Sequence, residues 1–184
     1  MSIQVCPTDI PQVLVIEPKI FFDERGSFYE SFNQKNFCDA IGIEANFVQD
    51  NQSRSSANVL RGLHYQVKQP QGKLVRVLSG SIFDVAVDIR QGSPSFGQHV
   101  AIELSAVNNR QLWIPEGFAH GFLTTSETAV VLYKTTDYYD PDCERCILWD
   151  DPTIDVDWPT VTGSPILSFK DREGVLLSDA ELLF

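Results

Sequence analysis

Arg61, His64 and Lys73 fall within thirteen residues of one another, in the run RGLHYQVKQPQGK. A neutral imidazole near two fixed cations suits proton abstraction from an anionic substrate. The imidazole accepts the proton and the cations hold the negative charge that develops. Of the three histidines, His64 and His120 sit in short glycine- and aromatic-bearing segments, RGLHYQ and PEGFAHGF, which read as walls of a site. The competing reading is a barrel interior with a few satisfied polar groups. For His120 a hydrogen bond to a phosphate and a turn cap stand equally open. His99, in FGQHVAIEL, belongs on the outer face of a strand.

The elements that must position these groups are strands. Side chains alternate along a strand, so Lys73 shares a face with Val75 and Val77 and is expected inside a barrel. A lysine there is costly unless it is paired or holds a ligand anion. Leu74 and Arg76 take the other face, Arg76 as a surface or subunit contact. Arg61 and His64, three positions apart, would lie on opposite faces of a regular strand. They reach one cavity only if the strand is broken, and Gly62 is the residue for a bulge. Tyr133 shares its face with Val131 and Thr135, as a hydrogen-bonded core phenol or as a proton donor.

Short β-rich runs recur at 13–16, 27–32, 73–78, 81–89, 99–104, 111–114 and 129–135. Turn chemistry such as Glu24-Arg25-Gly26, Pro70-Gln71-Gly72 and Pro115-Glu116-Gly117 separates them. Many short strands with few helices predict an all-β sandwich, jelly roll or barrel. Asn33 is expected to cap a helix running to about Ile41 and stopped by Gly42. Ser178-Asp179-Ala180-Glu181 predicts a capping box that opens a short C-terminal helix. The polar, proline-bearing stretch 150–165 reads as an extended loop.

A chain of 184 residues, 43% hydrophobic, can bury a full core, and residues 1–184 are expected to form a single domain. A net charge of −11 argues against nucleic acid or an anionic membrane as partner, while a small anionic ligand held by local cations remains compatible. No apolar run approaches the ~20 residues of a membrane span, and the N-terminus lacks a basic region followed by an apolar one, so the protein is expected in the cytoplasm. Cys6, Cys38, Cys143 and Cys146 are expected as free thiols. Cys143-x-x-Cys146 lacks a second pair for zinc, and the Asp140-Pro141-Asp142 turn before it does not suit a redox pair, so chance cysteines outweigh both.

RGLHYQ, QGKLVRV, FDVAVDIR, LWIPEGFAHGF, LYKTTDYY and the pair Lys170-Asp171 together resemble the dTDP-4-dehydrorhamnose 3,5-epimerases, collinearly from about Phe21 through Asp171. The resemblance implies a cupin jelly-roll barrel, a homodimer, no metal and no organic cofactor. His64-Tyr65-Gln66 lacks the second histidine of the metal-binding cupins, which agrees. It further implies His64 as base, Asp171 as its orienting carboxylate, Tyr133 as acid on the opposite sugar face and Lys73 beside the C4 oxygen. Arg25, Glu30, Gln49, Asn51, Arg61, His120, Glu144 and Lys170 match positions that contact the nucleotide, diphosphate or sugar. Phe22 matches an aromatic contributed by a partner subunit. Cys143 and Cys146, flanking Glu144, depart from the family's pattern. The implied reaction inverts C3 and C5 of a 4-keto-6-deoxy sugar on thymidine diphosphate. The alternatives are an epimerase acting at one carbon, a 3,4-ketoisomerase, and a non-catalytic jelly roll that binds a sugar nucleotide.

Overall fold

The computed structural model describes residues 3–182. The strands are β1 (Ile3–Pro7), β2 (Leu14–Pro18), β3 (Phe21–Asp23), β4 (Gly26–Phe28), β5 (Gln49–Ser56), β6 (Leu60–Gln66), β7 (Lys73–Ser79), β8 (Ser81–Asp88), β9 (His99–Ser105), β10 (Gln111–Ile114), β11 (Phe118–Thr124), β12 (Thr128–Thr135) and β13 (Glu144–Cys146). Two helices, α1 (Gln34–Ile41) and α2 (Phe169–Arg172), and a 3-10 turn at Leu177–Asp179 complete the elements. One antiparallel sheet runs β1-β2-β10-β7-β12-β5, the other runs β13-β6-β11-β8-β9, and β3 and β4 form a separate hairpin. This is the cupin-type jelly roll that the strand pattern and the resemblance predict.

Three apolar layers follow from which residues alternate onto which face. Between the sheets, Val75, Val77, Leu112, Ile114 and Val131 meet Ile82, Ala86, Val100, Leu104, Phe118 and Phe122. The outer face of the five-stranded sheet, carrying Leu63, Tyr65, Val85, Val87 and Ile89, is covered by Ile147, Ile154, Trp158 and Leu177 from the C-terminal segment. The outer face of the other sheet is covered by α1 through Phe37, which stacks edge-on against Trp113 at 5.5 Å between ring centroids. Both sheets are thus buried on both faces where they carry the site, so their side chains are held by packing. No helix among the described residues is long and apolar enough to cross a membrane.

Helix α1 begins and ends where the sequence predicts. Asn33 accepts from the Asn36 N–H, and Gly42 takes the left-handed conformation at φ +75°. The other end of the chain differs. No helix opens at Ser178; that residue lies in the 3-10 turn, which has no side-chain cap, while the capping box forms ten residues earlier, between Ser168 and Asp171. The run 27–32 also stops short, at Phe28. Beyond it Glu30 accepts from the side-chain amides of Asn33 and Asn36, and Phe32 joins the α1 cluster. The stretch 150–165 is irregular, as its composition predicts, and is pinned by the buried carboxylate of Asp151, which accepts from the N–H groups of Thr153, Ile154 and Leu177.

Candidate active site

The cleft is built on a row across the five-stranded sheet. His64 of β6 lies opposite His120 of β11 on one side and Cys146 of β13 on the other, so the three side chains share one face. Four residues of β6 from Arg61 to His64 span three of β11 from Phe122 to His120. This one-residue bulge turns Arg61 to the same side as His64, and both line the cleft. Gly62 carries the break at φ +117°, and a Cβ there would stand 2.5 Å from Gly121 Cα and 2.7 Å from the His120 carbonyl oxygen. No side chain fits.

Asp171 arrives from outside the sheet on the first turn of α2. Its Oδ1 lies 2.7 Å from His64 Nε2. Nε2 is buried and makes no well-aligned hydrogen bond, although the carboxylate oxygen stands at contact distance. The carboxylate itself is fixed by Ser168, whose hydroxyl donates at 2.6 Å, and by the Gly62 N–H at 3.1 Å. Burial alone would raise the Asp171 pKa; the adjacent His64 ring, the Ser168 hydroxyl and the Gly62 N–H outweigh it and hold the group at about 2. Glu144 stands on the other edge of the imidazole, with Oε1 3.9 Å from Nδ1. Its second oxygen pairs with Lys170 and accepts from the Tyr139 hydroxyl at 2.7 Å.

The six-stranded sheet supplies the facing wall. Tyr133 of β12 lies between Asn51 of β5 and Val75 of β7, with Lys73 one position further along the same face. Burial first, and then the nearby Glu144 charge, push the Tyr133 pKa up. Lys73 is 7% exposed and, among the described residues, donates a single long hydrogen bond, 3.3 Å, to the His64 carbonyl oxygen. Burial lowers its pKa to about 8 against the opposing pull of Glu144 and Asp84. Among the described residues, no carboxylate forms a salt bridge with this buried ammonium.

Nine of the residues singled out in the sequence line this cleft: Asn51, Arg61, His64, Lys73, His120, Tyr133, Glu144, Lys170 and Asp171. Its volume is about 1100 Å³, open mouth included. His120 is neither a turn cap nor free to swing, because both oxygens of the buried Asp84 sit 3.0 Å from its Nε2. Gln49 stands behind the wall, donating to Asn51 and accepting from the Tyr139 N–H. Glu30 belongs to the start of α1 instead. Phe22 and Arg25 ride on the β3–β4 hairpin and do not line the cleft of their own chain; Phe22 is 78% exposed, and Arg25 pairs with Asp23. Among groups the sequence reading passed over are Asp84, Ser168, Ser53 and Tyr139. Only Ser168 carried a usable signal, the Ser-x-x-Asp spacing of a capping box.

A carboxylate-paired histidine on one sheet, facing a buried lysine and a tyrosine on the other, defines a jelly-roll enzyme that moves protons on and off a bound anionic substrate. Comparison with known proteins makes the assignment specific. Residues 7–179 match the family described as dTDP-4-dehydrorhamnose 3,5-epimerase. The curated 3,5-epimerase of Pseudomonas aeruginosa is 58% identical over 94% of each chain, and that of Salmonella typhimurium 58% identical over 97% of each. Among solved structures, the Legionella pneumophila 3,5-epimerase in complex with dTDP-4-keto-L-rhamnose superposes with a TM-score of 0.95 at 53% identity, covering 97% of this chain and 95% of that one. A 3'-monoepimerase from Streptomyces bikiniensis in complex with dTDP-quinovose is more distant, with a TM-score of 0.87 at 31% identity over 94% and 87% of the two chains. The chain belongs to the dTDP-4-dehydrorhamnose 3,5-epimerase family, and the activity is that of an isomerase.

Proposed function

We propose that this cleft epimerises dTDP-4-dehydro-6-deoxy-D-glucose at C3 and C5 to dTDP-4-dehydro-L-rhamnose, with His64 as base, Tyr133 as acid and Lys73 as the cation at the C4 oxygen. The observation that carries the reading is the placement of His64, with Asp171 of α2 against its ring, on one sheet and Tyr133 on the other. C3–H and C5–H are both α to the C4 ketone, so one carbonyl acidifies both and one base serves two inversions. The ring nitrogen of His64 remote from Asp171 takes the proton, and Asp171 stabilises the imidazolium. Electron density moves to the C4 oxygen, where Lys73 meets the enolate in a water-poor site. Returning the proton from His64 would restore the starting configuration. Tyr133, facing from the opposite sheet, delivers it to the other side of the sugar and inverts the centre.

Arg61, His120, Asn51 and Lys170 are proposed to hold the nucleotide diphosphate and sugar hydroxyls, with Asp84 fixing the His120 ring. The exposed hairpin carrying Phe22 and Arg25 supports a homodimer in which each hairpin serves the other copy's cleft. The interior core shared by both sheets supports one domain, and four free cysteines support a reducing, cytoplasmic setting.

Incubation of the 4-keto-6-deoxyglucose nucleotide in D₂O, with a 4-keto reductase to trap product, tests the reading. Deuterium at C3 and C5 of an L-configured product supports it. Label at C3 alone would assign a monoepimerase, and binding without exchange a sugar-nucleotide-binding module.

A further inference from the structure

Beside the imidazole, the pairing of β13 with β6 does something the reaction does not require. It sets Cys146 directly opposite His64. One ring nitrogen of His64, the Cys146 sulfur and an Asp171 oxygen all lie within 4.8 Å of one another. Cys143, by contrast, faces away and donates to Asp140 at 3.0 Å, so the Cys-x-x-Cys spacing is not what gathers these donors. Three further observations mark the cluster as able to take an ion. Nε2 of His64 is buried with no aligned hydrogen bond. Asp171 is already oriented by Ser168 and Gly62, the kind of outer support that fixes a ligand carboxylate. The thiol is committed only weakly, to the Ile147 carbonyl at 3.5 Å.

We propose that His64, Cys146 and Asp171 form a site for a soft divalent cation of the zinc class, whose occupancy switches the enzyme off. Imidazole nitrogen, thiolate and carboxylate are the three donor types zinc takes, at metal–ligand distances of about 2.0–2.3 Å, and three protein ligands leave one position open. Ligands at those distances stand roughly 3–4 Å apart in a tetrahedron, so side-chain adjustments of about an ångström close the site. The thiol selects against magnesium and calcium, which take oxygen. Binding deprotonates Cys146, and that proton leaves to solvent. The switch half of the inference rests on His64 being the base. A cation on the ring, taking Asp171 as its own ligand, replaces the negative charge that stabilises the imidazolium with a positive one, and proton abstraction stops.

The test uses the full chain and the metals alone. Cobalt added to the protein should give a thiolate-to-cobalt charge-transfer band in the near ultraviolet at one equivalent, displaced by zinc chloride. Epimerase activity should fall with the same half-saturation and return with EDTA. Cys146→Ser and Cys146→Ala should lose the band and weaken zinc inhibition by about tenfold or more, since even outer-sphere losses cost 10–100-fold. Each variant's own zinc-free activity is the baseline for its zinc inhibition, and Cys143→Ser should keep the band. Absence of a Cys146-dependent band up to millimolar cobalt would overturn the site and leave His64's role untouched. A Cys146-dependent band with full activity at saturating zinc would overturn the switch and count against His64 as the base.

Discussion

Replacing Lys73 with methionine should stabilise the fold while nearly abolishing turnover. Burial lowers the Lys73 pKa from its ordinary 10.5 to about 8. Below pH 8 the ammonium is present in both folded and unfolded chains, and the folded chain bears the full desolvation cost. At ~1.4 kcal/mol per unit, that cost is roughly 3 kcal/mol. The sign follows from proton counting: between pH 8 and 10.5 the unfolded chain holds more protons than the folded one, so stability rises with pH through that window. Methionine keeps most of the volume and removes the charge. It forfeits the long hydrogen bond to the His64 carbonyl, worth about 1 kcal/mol, leaving a net gain of about 2 kcal/mol at pH 7. Urea denaturation of both proteins from pH 7 to 10 measures it, and the difference between them cancels other titrating groups. The gap should shrink as pH climbs past 8. Without the cation at the C4 oxygen, kcat should fall about 10²–10³-fold. A gap that favours wild type, or one that does not change with pH, would refute the picture of Lys73 as an unpaired buried cation kept for its substrate.

Asp171→Asn should slow deuterium uptake at C3 and C5 by about 10³, since unit charges ~4 Å apart at an effective dielectric near 20 interact by about 4 kcal/mol; a rate within tenfold of wild type, followed by NMR in D₂O, would defeat the pairing argument. Because Asp171 is held at about 2, below its ordinary value, it contributes roughly 2 kcal/mol at neutral pH that is lost as pH falls from about 4 toward 2. Acid denaturation of the asparagine variant should lack that slope. Tyr133→Phe should uncouple exchange from inversion: deuterium still enters, returned by His64 to the face it left, but epimer formation drops at least ~100-fold, and proportional loss of both signals would place the acid elsewhere. Gly62→Ala should cost about 3 kcal/mol or more in urea, because the added methyl meets Gly121 and His120 backbone; an unchanged midpoint would show that the bulge can relax.

What the sequence made legible was whatever left an alternating or capping signature. Lys73 with Val75 and Val77, Tyr133 with Val131, and α1 between Asn33 and Gly42 stand where pattern places them. The break at Gly62 follows only on the condition that Arg61 and His64 share one cavity, and the register shift between β6 and β11 meets that condition. Strand β5 left no such trace, because its inward residues Asn51, Ser53 and Ser55 are polar where an ordinary strand would be apolar. Asn51 and Ser53 line the cleft and Ser55 accepts from Arg61, so burial and hydrophobicity part company. Strand β11 failed for the opposite reason: all of Phe118–Thr124 is buried, and a segment covered on both faces shows no alternation. Asp84 could be placed on a face but not paired with His120, since their contact depends on the register between β8 and β11. Cys146 likewise acquires its neighbours only through the pairing of β13 with β6.

The site is costly to build, and the layer that offsets the cost also assembles the dyad. Lys73, Asp84, His120 and Asp171 are all removed from water in a domain-sized core that would be more stable with apolar groups in their places. Packing on the outer face of the five-stranded sheet compensates, through Ile147, Ile154, Trp158 and Leu177 of the C-terminal segment. That segment is stitched down by main-chain bonds from Leu60 to Ile166 and between Leu148 and Val175, on either side of α2. Asp171 therefore reaches His64 only when the outer layer is in place. The contact between the carboxylate and the imidazole is thus tied to the packing of an outer layer separate from the interior core, and under the proposed mechanism proton transfer depends on that layer.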